Sequence, residues 1–343
     1  MNIIVTGGAG FIGANLIRRL LEDQSLFILN IDSLTYAANL NAIEEFDKNK
    51  NYSFAKIDIA DKKAIEKIFR EFKPDKVMHL AAESHVDKSI SNPIDFINTN
   101  ILGTYSLLNA SCEHFNSLSD QKKTSFIFHH ISTDEVYGDL EKNDDPFTEK
   151  TAYSPNSPYS ASKASSDHLV RAWHSTFNLP IVISNCSNNY GPGQFIEKLI
   201  PMTITNAIQG LPIPIYGDGT QIRDWLYVDD HVRALKKIVY FGKPGETYNI
   251  GGSNEIRNID LVNEICNIFD TLHSAKNKEI SSFKDLIVFV NDRPGHDKRY
   301  AINSDKIEQE LKWKPKEDFN SGIKKTIQWY IDNKSWWHRD QQI

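Results

Sequence analysis

Thr6-Gly7-Gly8-Ala9-Gly10-Phe11-Ile12-Gly13 is the stretch that decides the fold. It follows a β-branched run, Ile3-Ile4-Val5, and opens an amphipathic segment over residues 11–21. Glycines at 7, 10 and 13 permit a tight turn, let the backbone approach a pyrophosphate, and let a helix pack closely on a strand. The free N–H groups at the helix start then point at the phosphates, with Phe11 and Ile12 beside them. A glycine-rich turn alone is weak evidence, since a plain turn followed by a capping Asp looks the same locally. Here Asp32 closes the second β-branched run, nineteen residues after Gly13, close to the spacing of a ribose-binding carboxylate. Such a carboxylate accepts ribose hydroxyls and repels a 2′-phosphate, and Ser33-Leu34-Thr35-Tyr36 brings no arginine. NAD is expected in preference to NADP.

Outward from that turn, residues 27–31, 52–57, 76–80, 125–131 and 181–184 read as further strands. Helical stretches at 61–72, 92–114 and 157–177 lie between them. The alternation predicts a Rossmann-type, doubly wound parallel α/β sheet with helices on both faces. Near-continuous apolar runs such as Val77-Met78-His79-Leu80 suit strands buried on both sides. Asn92 reads as an N-cap before Pro93, and Leu179-Pro180 ends a helix. After Asn188 the rhythm breaks at Gly191-Pro192-Gly193, at 211–214 and at Gly217-Asp218-Gly219. Beyond lie a helix at 229–240, a strand at 247–250, and helices at 262–269 and 322–333 in a smaller C-terminal α/β part. Residues 272–280 read as a polar surface linker. The expected division is 1–187 plus 220–250 for the dinucleotide and 188–219 plus 251–343 for the substrate. Helix 92–114 carries Ile94, Ile97, Ile101, Tyr105 and Leu108 on one stripe, with Phe96, Leu102 and Leu107 off it. Apolar residues on two sides point to a homodimer contact.

Lys and Arg number 39 against 45 Asp and Glu among 343 residues, a net charge of −6. That balance argues against a nucleic-acid binder held by a basic surface. No apolar run is long enough to span a bilayer, so no membrane partner is expected. Residues 1–5 lack the basic start and apolar core of a signal peptide. Cys112, Cys186 and Cys266 are odd in number and far apart, matching neither a disulfide framework nor a metal pattern. A soluble, cytoplasmic, metal-free protein is expected.

Tyr159 and Lys163 form Y-x-x-x-K, and residues four apart share a helix face. A phenol has an ordinary pKa near ~10, which an adjacent ammonium and an oxidised nicotinamide lower by favouring phenolate. The same lysine can hold the nicotinamide ribose. The spacing recurs at Tyr52/Lys56, in a predicted strand, and at Tyr330/Lys334 near the C-terminus, so position selects the first pair. Upstream, Thr133-Asp134-Glu135 ends the fifth strand, where such sheets bind ligands. Thr133 suits a substrate hydroxyl. Two adjacent carboxyls are surplus for dehydrogenation but suit elimination of water from a ketosugar, one as base and one as acid. If the strand continued through 135, Asp134 would point away from Thr133 and Glu135. A turn or helical start after Thr133 is therefore predicted. His79, His129 and His130 read as core or supporting residues, and Trp329, Trp336 and Trp337 as packing.

The G-x-x-G-x-x-G spacing resembles the extended short-chain dehydrogenase/reductase superfamily. That resemblance implies an adenine contact at Asp58 and Ile59, a cofactor wall at Leu80, Ala81, Ala82 and Ser84, and a further contact at Thr99. Residues 82–87, 133–138, 157–170, 187–192, 197–201, 221–228 and 292–297 together resemble the dTDP-glucose 4,6-dehydratase family. Thr133-Asp134-Glu135 is the most specific match. Gly193-Gln194 departs from it, where an aromatic and a histidine are expected. The resemblance implies a lyase with retained NAD, serving deoxysugar supply for surface polysaccharide. Tyr159 takes the C4 hydroxyl proton during C4 oxidation, Glu135 removes the C5 proton, Asp134 protonates the departing C6 hydroxyl, and hydride returns to C6. It further implies diphosphate contacts at Arg223, Arg293 and Lys198 and sugar-nucleotide contacts at Asn188 and Asn258. A cofactor contact falls on Asn189 and base stacking on Tyr216. Ser84, Thr133, Leu199, Pro214 and His296 complete the substrate set. A 4-epimerase, or a 4,6-dehydratase of a UDP-, CDP- or GDP-sugar, stays open on the residues alone.

Overall fold

The computed structural model describes residues 1–272 and 281–339. The β-branched runs of the first half form β1 (Asn2–Thr6), β2 (Phe27–Asp32), β3 (Tyr52–Lys56), β4 (Lys76–His79), β5 (Ile127–Thr133) and β6 (Ile181–Cys186). Later come β7 (Asn188–Tyr190), β8 (Ile213–Tyr216), β9 (Ile222–Tyr227), β10 (Thr247–Ile250), β11 (Glu255–Arg257) and β12 (Ile287–Val290). One sheet has the order β10-β6-β5-β4-β1-β2-β3, with every pair parallel. The chain winds outward from β1 to β3, then from β4 to β10. The direction therefore reverses between β1 and β4, a position that opens a ligand crevice at the strand ends.

This is the doubly wound sheet the sequence predicts, and burial gives the reason. Ile3 and Val5 enter one core layer and Ile4 the other, all with no exposed surface, as the two-residue period of a strand requires. Met78 and Val77 divide in the same way.

The second half holds two small sheets, β11-β9-β7 and β12-β8, packed with Ile204, Leu261, Ile265, Phe269 and Ile327 in a separate core. β9 pairs with β7 and β11 in the smaller sheet, whereas the helix Val228–Phe241 after it returns to the main sheet. There Val232, Leu235 and Ile238 share a layer with Leu16 and Ile17. Beyond Leu272, the linker expected at 272–280 lies outside the described residues.

The helix predicted over 92–114 is not one regular helix. Pro93–Phe96 leads into a π segment, Ile97–Gly103, and then Thr104–Ser117. A π turn lets residues five apart align, so Leu102 emerges with Ile97. Both are exposed, as are Ile94 and Tyr105, while Phe96, Leu107 and Leu108 are buried. The stripe drawn on a 3.6-residue period is corrected accordingly: Leu108 belongs inside and Leu102 outside. Asn92 precedes Pro93 as expected, but its amide donates to Asp95 Oδ2 and caps no backbone N–H. Among the described residues, no helix is long and apolar enough to cross a membrane.

Candidate active site

The glycine turn after β1 is built on close approach. Gly7 has a φ of +73°, and a Cβ there would sit 2.6 Å from the backbone nitrogen of Ala81. A Cβ on Gly13 would lie 2.1 Å from the Gly7 carbonyl oxygen. Gly10 precedes the helix Phe11–Leu20 with no capping side chain, so the first N–H groups there are left for another acceptor. At the end of β2, Asp32 Oδ2 accepts from the Ala9 N–H at 2.9 Å and Oδ1 from the Leu34 N–H at 2.8 Å. Burial raises this carboxyl's pKa, and those two N–H groups oppose it.

A cleft of about 330 Å³ runs from this turn to the end of β5. Its dinucleotide end is walled by Gly7, Gly10, Phe11, Ile12, Gly13, Asp32, Ser33 and Thr35. Asp58, Ile59, Leu80, Ala81, Ala82, Ser84 and Thr99 follow along the strand ends. Thr133, Glu135, Tyr159, Lys163, Asn188, Asn189 and Lys198 close the far end. Leu34 does not line it; only its backbone reaches in, to hold Asp32. Uncapped helical N–H groups, a tethered carboxylate, and buried Asn188 Oδ1 and Gln194 Oε1 with no partner fit a dinucleotide with polar groups along its length.

β5 stops at Thr133 and a 3-10 turn, Asp134–Tyr137, begins at once, as the geometry of three cooperating side chains demands. The Thr133 hydroxyl accepts from the Glu135 N–H and donates to Asp134 Oδ1, both at 3.3 Å. Glu135 reaches the cleft wall. Asp134 does not line it, being 2% exposed with Oδ2 buried and unpartnered. The helix Pro158–Phe177 starts on a capping box of Ser157 and Ser160 with Pro158 in its first turn. Tyr159 and Lys163 thereby face β5, and Lys163 Nζ donates to the Ile131 carbonyl at 2.9 Å. The rival pairs stand elsewhere. Tyr52 and Lys56 lie on β3, Tyr330 lies in Phe319–Asp332, and Lys334 lies in the next helix.

Charge divides the two carboxyls. Burial pushes Asp134 well above the usual carboxylate range, and the anions Glu135 and Asp224 push the same way. Burial raises Glu135 too, and it stays above the ordinary glutamate value, although Arg293, Arg223 and Lys198 pull it down. Burial drives Tyr159 well above a phenol's ordinary value, Glu135 adds to this, and the Thr133 hydroxyl opposes it.

The remaining predicted residues lie beyond the cleft wall, in the C-terminal part. Arg223 donates to the carbonyls of Ile222 and Asp297, at 2.7 and 2.8 Å, and stacks 4.2 Å over the Tyr300 ring. Arg293 lies 3.8 Å from Asp87, which also accepts from the Tyr216 hydroxyl at 3.2 Å. His296 bonds Asp292 at 2.6 Å and meets the Tyr216 ring edge-on. Asn258 has a buried, unpartnered Oδ1. Pro214 sits in β8 and Leu199 starts the helix Leu199–Gln209. Lys198, on the cleft wall itself, donates to the Ser84 carbonyl at 3.2 Å.

His79 bridges the Thr6 and Thr104 hydroxyls, and His129 and His130 bond Ser184 and Asp167. All three are buried. Among the described residues, no group of three or more His, Cys, Asp or Glu is placed to hold a metal ion.

The family model described as GDP-mannose 4,6 dehydratase matches residues 4–326. The dTDP-glucose 4,6-dehydratase of Escherichia coli is 56% identical over 99% of this chain and 96% of its own. The chain belongs to the dTDP-glucose 4,6-dehydratase family. Two solved members agree along their whole length. The Bacillus anthracis enzyme in complex with NAD has a TM-score of 0.86 at 42% identity, covering 99% of both chains. DesIV of Streptomyces venezuelae, with NAD and TYD bound, has 0.89 at 38%, covering 99% of this chain and 100% of that one.

For this family member, sequence reasoning missed Cys186, Gln194, Phe195 and Glu197, all on the cleft wall. Gln194 occupies the position where the sequence departs from the family pattern. Its side-chain amide donates to the Asn189 carbonyl at 2.9 Å, and its backbone carbonyl accepts from the Tyr330 hydroxyl. Their proximity to the predicted motifs was the available signal; what hid them is that their wall forms only on folding.

Proposed function

We propose that this chain converts dTDP-glucose to dTDP-4-keto-6-deoxyglucose with a retained NAD. The observation carrying this reading is the divided electrostatics of Asp134 and Glu135 at the end of β5, beside Tyr159 and Lys163. NAD, when bound, would supply the hydride acceptor and donor. Asp32 and the uncapped start of Phe11–Leu20 hold its ribose and pyrophosphate. Lys163 would hold the nicotinamide ribose and favour phenolate at Tyr159, which would remove the C4 hydroxyl proton. Thr133 orients that hydroxyl. Glu135, with three cations around it, is the group suited to be ionised, and it takes the proton from C5. Asp134, pressed by anions, is suited to be protonated, and it delivers its proton to the C6 hydroxyl as water leaves. Arg223, Arg293 and Lys198 supply the positive field for the diphosphate, with Asn188, Asn258 and Tyr216 on the nucleoside side.

The exposed apolar face of Ile94, Ile97, Leu102 and Tyr105 supports a homodimer. Three unpaired cysteines fit a reducing, cytoplasmic setting; the role read for such a product is deoxysugar supply for surface polysaccharide. Incubating the protein separately with dTDP-glucose and UDP-glucose tests the reading. Mass spectrometry should find loss of one water from the thymidine nucleotide sugar, with the ultraviolet chromophore of a 4-keto sugar after base. Both sugars returning unchanged would refute it.

A further inference from the structure

Tyr159, Lys163 and Asp167 stand four residues apart on one face of Pro158–Phe177. The first two belong to the proton-transfer reading, while the third has no part in it. Asp167 has no exposed surface, yet donors from several elements converge on its carboxylate. His130 Nε2 lies at 3.1 Å from β5, the Ser132 hydroxyl at 2.9 Å, the Tyr153 hydroxyl at 2.8 Å and Asn185 Nδ2 of β6 at 3.5 Å. Such a set favours the ionised form, and Asp167 is held below the usual carboxylate range despite burial.

A buried anion needs a cation close by. Lys163 is 4% exposed and makes one side-chain hydrogen bond, to Ile131, out of three available donors. The titratable groups facing it are Tyr159 and Asp167 on its own helix, His79 on β4, His130 on β5 and Cys186 on β6. Burial lowers Lys163 itself, and Asp167 is the first group to oppose that; burial also keeps both histidines neutral and pushes the Cys186 thiol up to about 12. Arg171 stands on the far side of Asp167, donating to the Tyr153 hydroxyl at 3.1 Å.

We propose that Asp167 is the buried counter-ion of Lys163 and thereby a positioning residue for proton transfer at Tyr159. It rests on the reading of Tyr159 and Lys163 given above. Asp167 lies two helical turns from Tyr159, about 12 Å, so its influence runs through the lysine. The productive pair is phenolate with ammonium, sharing one proton. A phenol with a neutral amine has the same proton count and is inactive. Removing the Asp167 charge disfavours the ammonium, shifts population to the inactive pair, and lets the ammonium titrate at lower pH.

The test is the pH profile of turnover for Asp167→Asn. The plateau should fall about tenfold and the alkaline limb should move to lower pH by about one unit. An alkaline limb at the wild-type position overturns the proposal, whatever the plateau. A thermal-unfolding cycle of D167N, K163M and K163M/D167N gives a second readout that needs no turnover. The double variant, with no unpaired buried charge, should melt above D167N. A double variant that melts with D167N or below it overturns the pairing. Because this cycle requires no substrate, failure of the proposed reaction leaves its result interpretable.

Discussion

Asp134 and Glu135 are adjacent and chemically alike, so only their surroundings can give them opposite tasks. Asp134 is enclosed with an unpartnered oxygen and anions for neighbours; Glu135 reaches the cleft among cations. Glu135→Gln keeps the size and removes the base. It should retain NAD and nucleotide-sugar binding yet lose solvent-deuterium incorporation at C5, with turnover down by about 100-fold or more. Deuterium entry at the wild-type rate would contradict the role. Asp134→Asn should instead preserve C5 exchange and slow the release of water, a contrast visible by following both signals in one reaction. The Thr-Asp-Glu triplet was legible because a single turn after Thr133 suffices to bring Glu135 to the cleft beside Thr133, with Asp134 enclosed behind them. The charges that distinguish them were not, since Asp224 and Arg293 come from positions some 90 and 160 residues away.

At the scale of elements, the glycine turn and the Tyr159 helix follow from local rules: close approach at Gly7 and Gly13, and a serine cap with proline in the first turn. Gly13→Ala places a methyl 2.1 Å from the Gly7 carbonyl oxygen. It should lose about 1–3 kcal/mol of stability and the ability to retain NAD, measured by thermal melting and by the cofactor content of purified protein. The segment at 92–114 shows where periodicity misleads. Its π turn moves Leu102 outward and leaves Ile94, Ile97 and Tyr105 exposed beside it. Ile97→Glu on that face should convert the proposed homodimer into monomers by sedimentation while leaving the far-ultraviolet circular dichroism intact; a wild-type chain that sediments as a monomer would refute the proposed contact. Gly103 ends the π turn where a Cβ would lie 2.6 Å from Ile59, so the helix leans on a strand-end residue distant in sequence, which a periodic reading has no means to register.

Across the whole molecule, four buried histidines tie stability to pH. His130 is pushed down to about 4 and His231 to about 3, and burial holds His79 and His129 well below the ordinary value. Above about pH 6.5 neither the folded nor the unfolded chain protonates them. Below it the unfolded chain takes up protons that the folded one refuses, so stability falls as pH falls towards the folded values. Each histidine contributes about 1.4 kcal/mol per pH unit in that window. The melting temperature should therefore drop steeply between pH 7 and 5, and a flat profile would contradict it. Such residues also mark the boundary between local and tertiary information. By itself the sequence determined the parallel sheet, the dinucleotide turn, the end of β5 and the Tyr159–Lys163 pair, because strand period, glycine geometry and helix spacing act over a few residues. Only the tertiary structure decided the small sheets of the second half, the far wall of the cleft, the charge around each carboxyl and the partner of Asp167. Those depend on which distant segments meet, and on how much water is excluded when they do.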